Sequence, residues 1–288
     1  MTRPVEPFIE VQGLSHVYLR GTPLETPSLR DVDFEVRLGE AVGIVGPTGS
    51  GKSTLLQHLN GLLRPQLGRV VVAGMSLSDP NTDLRRVRQR VGLLFQSPED
   101  QLFERFAGDD VAFAPRNMGL PPDQVRERVR QAMESVGLAF ALKDRPTAQL
   151  SQGQRRRLAL AGVLAMDPQV LLLDEPTAGL DPHGRRELLA TLRLWAEAEE
   201  HALVLATHNM EDVVELCTLV YVLAQGQVVD KGTVQEVFSH RELLSRHGLA
   251  APAAAEVMHL LQQRGFQVST QILTVAEASC EIVRQLSA

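Results

Sequence analysis

Short apolar runs and amphipathic stretches alternate along this chain. Residues 8–19 and 28–38 partly alternate polar and apolar positions, which predicts a pair of antiparallel strands. Residues 41–45, 69–73, 91–95, 170–173 and 202–207 are short, mainly apolar runs of strand length. Four successive branched residues, Val170 to Leu173, predict a strand buried on both faces, as in a parallel sheet. Residues 218–223 and 227–230, joined at Gly226, predict a closing hairpin. Elsewhere the spacing is helical. Leu55, Leu56 and Leu59 follow the 41–45 run, and Val125, Val129, Ala132, Met133 and Val136 mark a helix over 122–136 that Gly137 ends. Leu158, Ala161, Val163 and Leu164 suit a helix face behind Ser151, a natural N-cap. After Gly232 the pattern is helical throughout: short helices over 233–247, one over 253–264 with Val257, Leu260 and Leu261 on one face, and a last one over 274–286. These elements predict an α/β chain with a mixed or parallel sheet and an antiparallel β-subdomain over 5–232, a helical subdomain inserted at about 97–165, and a small C-terminal helical domain over 233–288.

The chemistry gathers first at Gly46-Pro47-Thr48-Gly49-Ser50-Gly51-Lys52-Ser53-Thr54, which reads G-x-x-x-x-G-K-[ST], the P-loop pattern. It lies between the 41–45 strand and a helix start. Gly49 and Gly51 let the backbone curl so that successive N–H groups point inward, and the new helix adds its positive end. Lys52 then suits the β- and γ-phosphates and Ser53 a Mg²⁺ ion. Asp174 and Glu175 end the 170–173 strand, at the sheet edge where ligands bind in open α/β sheets, and Pro176 stops the ladder. His208 ends the 202–207 strand at the same edge. Arg155, Arg156 and Arg157 read as a solvated or salt-bridged helix face rather than a nucleic-acid patch.

Composition narrows the class. With 288 residues, 44% hydrophobic and 22% charged, the chain has ample material for a core, and a formal charge of −6 gives no bulk attraction to nucleic acid. Cys217 and Cys280 are isolated, which excludes a disulfide framework or a cysteine-based zinc site and fits a reducing cytosol. No apolar run is long enough to span a bilayer, and the stretch after Arg3 lacks the apolar region of a signal peptide.

Five signals stand in order: the P-loop, Gln96, Leu150-Ser151-Gln152-Gly153-Gln154, the Asp174-Glu175 strand end, and His208. This order resembles the ATPase subunit of ATP-binding-cassette transporters, over about residues 5–232. Within that family the chain is similar to the ATPases of energy-coupling-factor importers, in Phe95-Gln-Ser-Pro-Glu-Asp-Gln-Leu-Phe103, Ala112-Phe-Ala-Pro-Arg-Asn-Met-Gly119, the tail Gly248-Leu-Ala-Ala-Pro252 and Leu273-Thr-Val-Ala-Glu277. The insertion Gly21–Pro27 resembles one of the two paralogous ATPases of those importers. The resemblance implies a P-loop NTPase fold, ATP and Mg²⁺ as cofactors, and the following roles. Tyr18 stacks on adenine; residues 46–54 hold phosphates; Ser53, Gln96 and, through water, Asp174 serve the metal; Glu175 is the general base; His208 contacts the γ-phosphate; Gln96 senses it and couples to the membrane partner. The loop Ala178–Asp181 crosses a dimer interface, and Ser151, Gly153 and Gln154 complete the site of the other subunit. Gln152 departs from the family pattern, which has glycine there. Partners implied are a second ATPase (paralogue or self), a transmembrane coupling subunit and a substrate-binding membrane subunit for vitamin or transition-metal uptake, with no nucleic acid, at the cytoplasmic face of the membrane. Segment Ser97–Gln101 is expected to dock the membrane partner, with Glu99 and Asp100 available to its arginines.

The competing class is a soluble cassette ATPase of DNA repair or translation. That class carries a long coiled-coil insertion or two cassettes per chain. Here there is one P-loop, and only about 54 residues separate Gln96 from Ser151. A guanine-specific Asn-Lys-x-Asp tetrad is absent.

Overall fold

A computed structural model describes residues 6–286. Residue 5, where the first domain is expected to begin, the earliest residues of the stretch read for a signal peptide, and residues 287–288 of the tail lie outside the described residues. Along the chain run β1 Ile9–Tyr18, β2 Thr26–Val36, β3 Ala41–Val45, α1 Lys52–Leu59, β4 Leu67–Val72, β5 Met75–Ser76, α2 Leu84–Arg90, β6 Val91–Leu94, α3 Ala107–Asn117, α4 Pro122–Ser135, α5 Gln152–Leu164, β7 Val170–Asp174, α6 Pro182–Ala196, β8 Ala202–Thr207, α7 Met210–Leu216, β9 Leu219–Ala224 and β10 Gln227–Thr233. The tail adds α8 Val234–Ser239, α9 Arg241–Arg246, α10 Ala253–Gln263 and α11 Val275–Leu286.

Two sheets form the frame. One is antiparallel, in the order β2-β1-β4-β5; the other runs β10-β9-β3-β8-β7-β6. In the second, β9, β3, β8, β7 and β6 are mutually parallel and β10 is an antiparallel edge. The parallel strands are buried on both faces, as their unbroken apolar runs require. Val42, Ile44, Val170, Leu172, Val204 and Ala206 face the layer shared with the antiparallel sheet and α1. Val45, Leu171, Leu173, Leu203 and Leu205 face the helices on the other side. Truncating any of these leucines to alanine would cost about 2–5 kcal/mol.

The helix read over 122–136 is present as α4, and all five of its apolar positions are buried. Between Asn117 and Gln152 the chain is helical or turn, with no strand. Three helices have no counterpart in the sequence reading. In α2 only Val87 is buried, so no apolar period exists to find. The start of α6 carries a local signal that the reading did not use: Asp181 caps it by accepting the Gly184 N–H at 2.7 Å, and Pro182 takes its first turn. In α7, Asn209 caps through the Glu211 N–H.

The tail corrects one face. Val257 and Leu260, grouped with Leu261 in the sequence reading, point to solvent at 45% and 52% exposure. The buried side of α10 is instead Ala254, Ala255 and Met258. Ala254 and Met258 form a small cluster with Val268 and Ala278, against which Leu261 packs. Ala254 faces Ala278 of α11, whereas Ala255 joins the main core, and the larger Val257 and Leu260 are left outside.

One buried pair makes stability depend on pH. His16 and His58 are both inside, with ring centroids 4.9 Å apart. Burial, with the neighbouring His16 adding to it, lowers the His58 pKa to about 4. The folded protein therefore holds this imidazole neutral, and the unfolded chain binds more protons below its ordinary value of about 6.5. This contribution to stability is complete above about pH 6.5 and is lost as pH falls toward 4. Wild type should lose about 2–3 kcal/mol more than His58→Leu between pH 7.5 and 4.5 in denaturant unfolding. Equal losses in the two proteins would rule out His58 as the titrating group.

Candidate active site

Residues 46–54 join β3 to α1, and their backbone is set by glycines. Gly51 has φ 106° and Gly49 φ 79°, conformations that side-chain-bearing residues rarely adopt. A Cβ on Gly46 would lie 2.2 Å from the Leu223 carbonyl oxygen, so the loop passes directly over β9. Helix α1 begins without a side-chain cap and with no acidic residue in its first turn. Its leading N–H groups and dipole are thus offered to an anion. Ser50 Oγ is buried and makes no hydrogen bond. The Lys52 ammonium folds back onto the carbonyls of Gly46 (2.6 Å) and Pro47 (3.1 Å). Burial pulls its pKa below the usual lysine value, opposed by the charges of Glu175 and Asp174.

Strand order brings the other residues to the same edge. β8 lies beside β3, β7 beside β8, and β6 beside β7. Their C-terminal ends carry His208, Asp174-Glu175 and Gln96. Asp174 is buried, which raises its carboxyl pKa; a hydrogen bond with Ser53 and the Lys52 charge pull the other way. Glu175 sits at φ 48°, a strained backbone position for a side-chain-bearing residue, tied by its N–H to Ala206 at 2.8 Å. Its carboxylate faces His208 Nδ1 at 2.7 Å and accepts from the Thr207 hydroxyl at 3.1 Å. Gln96 is exposed.

Tyr18 also reaches this place. Its hydroxyl lies 3.1 Å from Thr54 Oγ1, which also accepts from Ser28 at 2.8 Å. His16 meets the tyrosine ring edge-on at 4.5 Å, leaving the ring 36% exposed. The structure thus gathers an aromatic ring, an anion loop, a lysine and two carboxylates around residues 46–54. Ser53 and Asp174 are hard oxygen donors already paired with each other, a set that fits a small divalent cation such as Mg²⁺. Among the described residues no three His, Cys, Asp or Glu side chains cluster to hold a metal. A cation here would take its other ligands from phosphates and water.

Ser151, Gly153 and Gln154 open α5. Ser151 and Gln154 form a reciprocal cap: the Ser151 hydroxyl accepts the Gln154 N–H at 3.2 Å, and the Gln154 side chain accepts the Ser151 N–H at 2.9 Å. Among the described residues none of these bonds reaches the 46–54 loop. Asp181 caps α6 nearby.

Two expectations are corrected here. Arg156 is not on a solvated face. It is 7% exposed, and its guanidinium donates to the carbonyls of Ala178 (2.5 Å), Gln96 (3.4 Å) and Glu175 (3.4 Å). It thereby ties α5 to two loops at the acidic sheet edge, the one after β6 and the one between β7 and α6. Only Arg157 follows the expected pattern, with Glu187 3.5 Å away. Glu99 is not turned outward either. Its Oε1 accepts from the Gln152 amide at 3.1 Å and its Oε2 is shut from solvent, whereas Asp100 is exposed. A further anchor escaped the sequence reading altogether. Asp212, fully buried, accepts from Thr177 Oγ1 and pairs with Arg185 at 2.5 Å, pinning the loop behind Glu175. Nothing local marks it, because its partners lie 27 and 35 residues away.

Known proteins share this frame. The profile of the ABC transporter family matches residues 29–178. The energy-coupling factor transporter ATP-binding protein EcfA2 of Symbiobacterium thermophilum is 52% identical over 274 residues, 95% of each chain. Among solved structures, cbiO1 from Clostridium perfringens, described as part of the ABC transporter complex cbiONQ, aligns with TM-score 0.73 and 36% identity, covering 89% of this chain and 99% of that one. A dimeric post-hydrolysis state of the ATP-binding cassette MJ0796, bound to ADP and Pi, aligns with TM-score 0.72 and 25% identity, covering 78% and 98%.

Proposed function

Since the chain belongs to the ABC transporter family, among the ATP-binding proteins of energy-coupling-factor transporters, we propose how its residues divide the work of hydrolysis. The protein is an ATPase coupled to transport. The observation that carries the assignment of residues is the convergence of Lys52, Ser53, Asp174 and Glu175 at one sheet edge. Adenine lies on the open face of Tyr18, and the phosphates lie in the Gly46–Thr54 loop. Lys52 leaves the Gly46 and Pro47 carbonyls for the β- and γ-phosphates. Ser53, Gln96 and, through water, Asp174 would hold Mg²⁺, which would supply positive charge against that developing on the phosphoryl group. Glu175 accepts the proton of the attacking water. Because His208 turns Nδ1 to Glu175, its Nε2 is the edge left for the γ-phosphate.

The opposite side of the nucleotide comes from a second ATPase, through Ser151, Gly153 and Gln154 at the α5 start and the Ala178–Asp181 loop. Two such subunits close on two ATP molecules and reopen after hydrolysis. Residues 5–232 form the cassette, with the helical insertion at 97–165. Residues 233–288 form a contact domain, supported by the separate cluster around Met258 and by exposed Val257, Leu260 and Phe266. The membrane partner docks beside Asp100 and the exposed, edge-on ring pair Phe103 and Phe113, 4.7 Å between centroids. No helix among the described residues is long and apolar enough to cross a membrane. Attachment to the cytoplasmic face comes through the coupling subunit, and a separate membrane subunit selects the vitamin or metal ion.

Dilution tests the paired site. Specific Mg-ATPase activity of the purified chain should fall as protein concentration drops below the pairing constant. Constant specific activity down to monomer would reject completion by a second subunit. Asp100→Lys should reduce co-purification with the membrane subunits several-fold while Mg-ATPase persists; undiminished co-purification would move the docking site elsewhere.

A further inference from the structure

Gln152 stands where the family pattern has glycine, and the structure gives its side chain a partner. Its amide donates to Glu99 Oε1 at 3.1 Å, across 53 residues of sequence. Gln152 is in the first turn of α5, directly after Ser151. Glu99 is in the 3₁₀ turn Pro98–Gln101, directly after Gln96. Among the described residues this is the one side-chain-to-side-chain hydrogen bond between the first turn of α5 and that segment. A glycine could not make it.

We propose that Gln152 is a positioning residue for hydrolysis: through Glu99 it fixes the α5 start, which clamps the sister subunit's nucleotide, to the Gln96 segment that reads the chain's own nucleotide. This rests on the functional reading above. Two groups extend the bond into a network. Arg156, four residues on along α5, donates to the Gln96 carbonyl, so the helix grips the segment at both ends. Glu99 Oε2 is buried without a hydrogen bond, and the Nε–H groups of Arg155 and Arg156 are likewise buried and unbonded. Both guanidinium charges act on the Glu99 carboxylate. A small shift of α5 therefore lets Glu99 exchange the Gln152 amide for a guanidinium without leaving its charge unpaired. The link then has two arrangements, which coupling between sites requires. The consequence is particular to this chain: closure over the sister's ATP and movement of the docking segment are tied by a side chain that the family pattern lacks.

The test reverses the pair in the full-length protein, with kcat and KM for Mg-ATP measured at a concentration that saturates pairing. Gln152→Glu sets two carboxylates against each other and should lower kcat about tenfold, with KM within about twofold, because ATP binds first to its own loop. Glu99→Gln should lower kcat about threefold. The doubly reversed protein, Gln152→Glu with Glu99→Gln, rebuilds one amide–carboxylate bond and should return to within about threefold of the parent. Gln152→Gly should also lower kcat about threefold to fivefold, although glycine fits the position. A glycine variant equal to the parent, or a double variant no better than Gln152→Glu alone, overturns the proposal. A parent without Mg-ATPase activity, both alone and paired with a paralogous ATPase, would instead overturn the functional reading.

Discussion

Glu175→Gln should leave ATP bound and lower kcat by roughly 10²–10⁴, the usual worth of a general base. The geometry explains why binding survives. Glu175 touches Thr207 and His208, not the phosphate loop, and an amide can keep an acceptor toward the Thr207 hydroxyl. What it cannot do is take a proton from water. The backbone at φ 48° is unaffected by the exchange, so the loop behind it keeps its Thr177–Asp212–Arg185 anchor. Single-turnover hydrolysis with bound nucleotide measured separately decides the matter. Retained hydrolysis would remove Glu175 from the role of base; lost binding would mean that its carboxylate shapes the loop instead.

Lys52→Ala should strike one step earlier. In the proposed site the ammonium would form charge-assisted bonds to two phosphates, each worth about 1.5–3 kcal/mol, so ATP affinity should fall about 100-fold or more. A second effect adds to this. Lys52 is one of the groups that oppose the burial-driven rise of the Asp174 carboxyl. Without it Asp174 shifts further toward the protonated form and becomes a poorer partner for a cation. Titration with ATP in the presence and absence of Mg²⁺ tests both parts: affinity should fall in each, and the benefit from Mg²⁺ should shrink. Parent-like affinity would show that the backbone N–H groups and the α1 dipole suffice for capture.

The two substitutions separate what the sequence displayed from what it hid. The loop, the acidic strand end and His208 were readable because each is local: a fixed spacing, or the end of an apolar run. Their convergence was also readable in outline, since parallel strands place all such ends on one edge. The burial of Arg156 was not. Three adjacent arginines look alike in a sequence, and only the packing of α5 against the Gln96, Glu175 and Ala178 carbonyls sends one of them inward. Glu99 is similar: its acidity suggested an outward role, but a residue 53 positions later turns it in. The α10 face failed for a related reason, because helical period marks apolar positions without saying which neighbour they meet.

By itself, then, the amino-acid order determined the strand runs, the phosphate loop and the acidic edge, because these depend on backbone conformation and on neighbours within a few residues. Tertiary structure alone decided which charged side chains are buried, which are joined, and which apolar residues of the tail stay outside. Those outcomes depend on surfaces brought together from distant parts of the chain, where desolvation penalises an ionised or polar group that finds no partner and leaves unmatched apolar groups exposed.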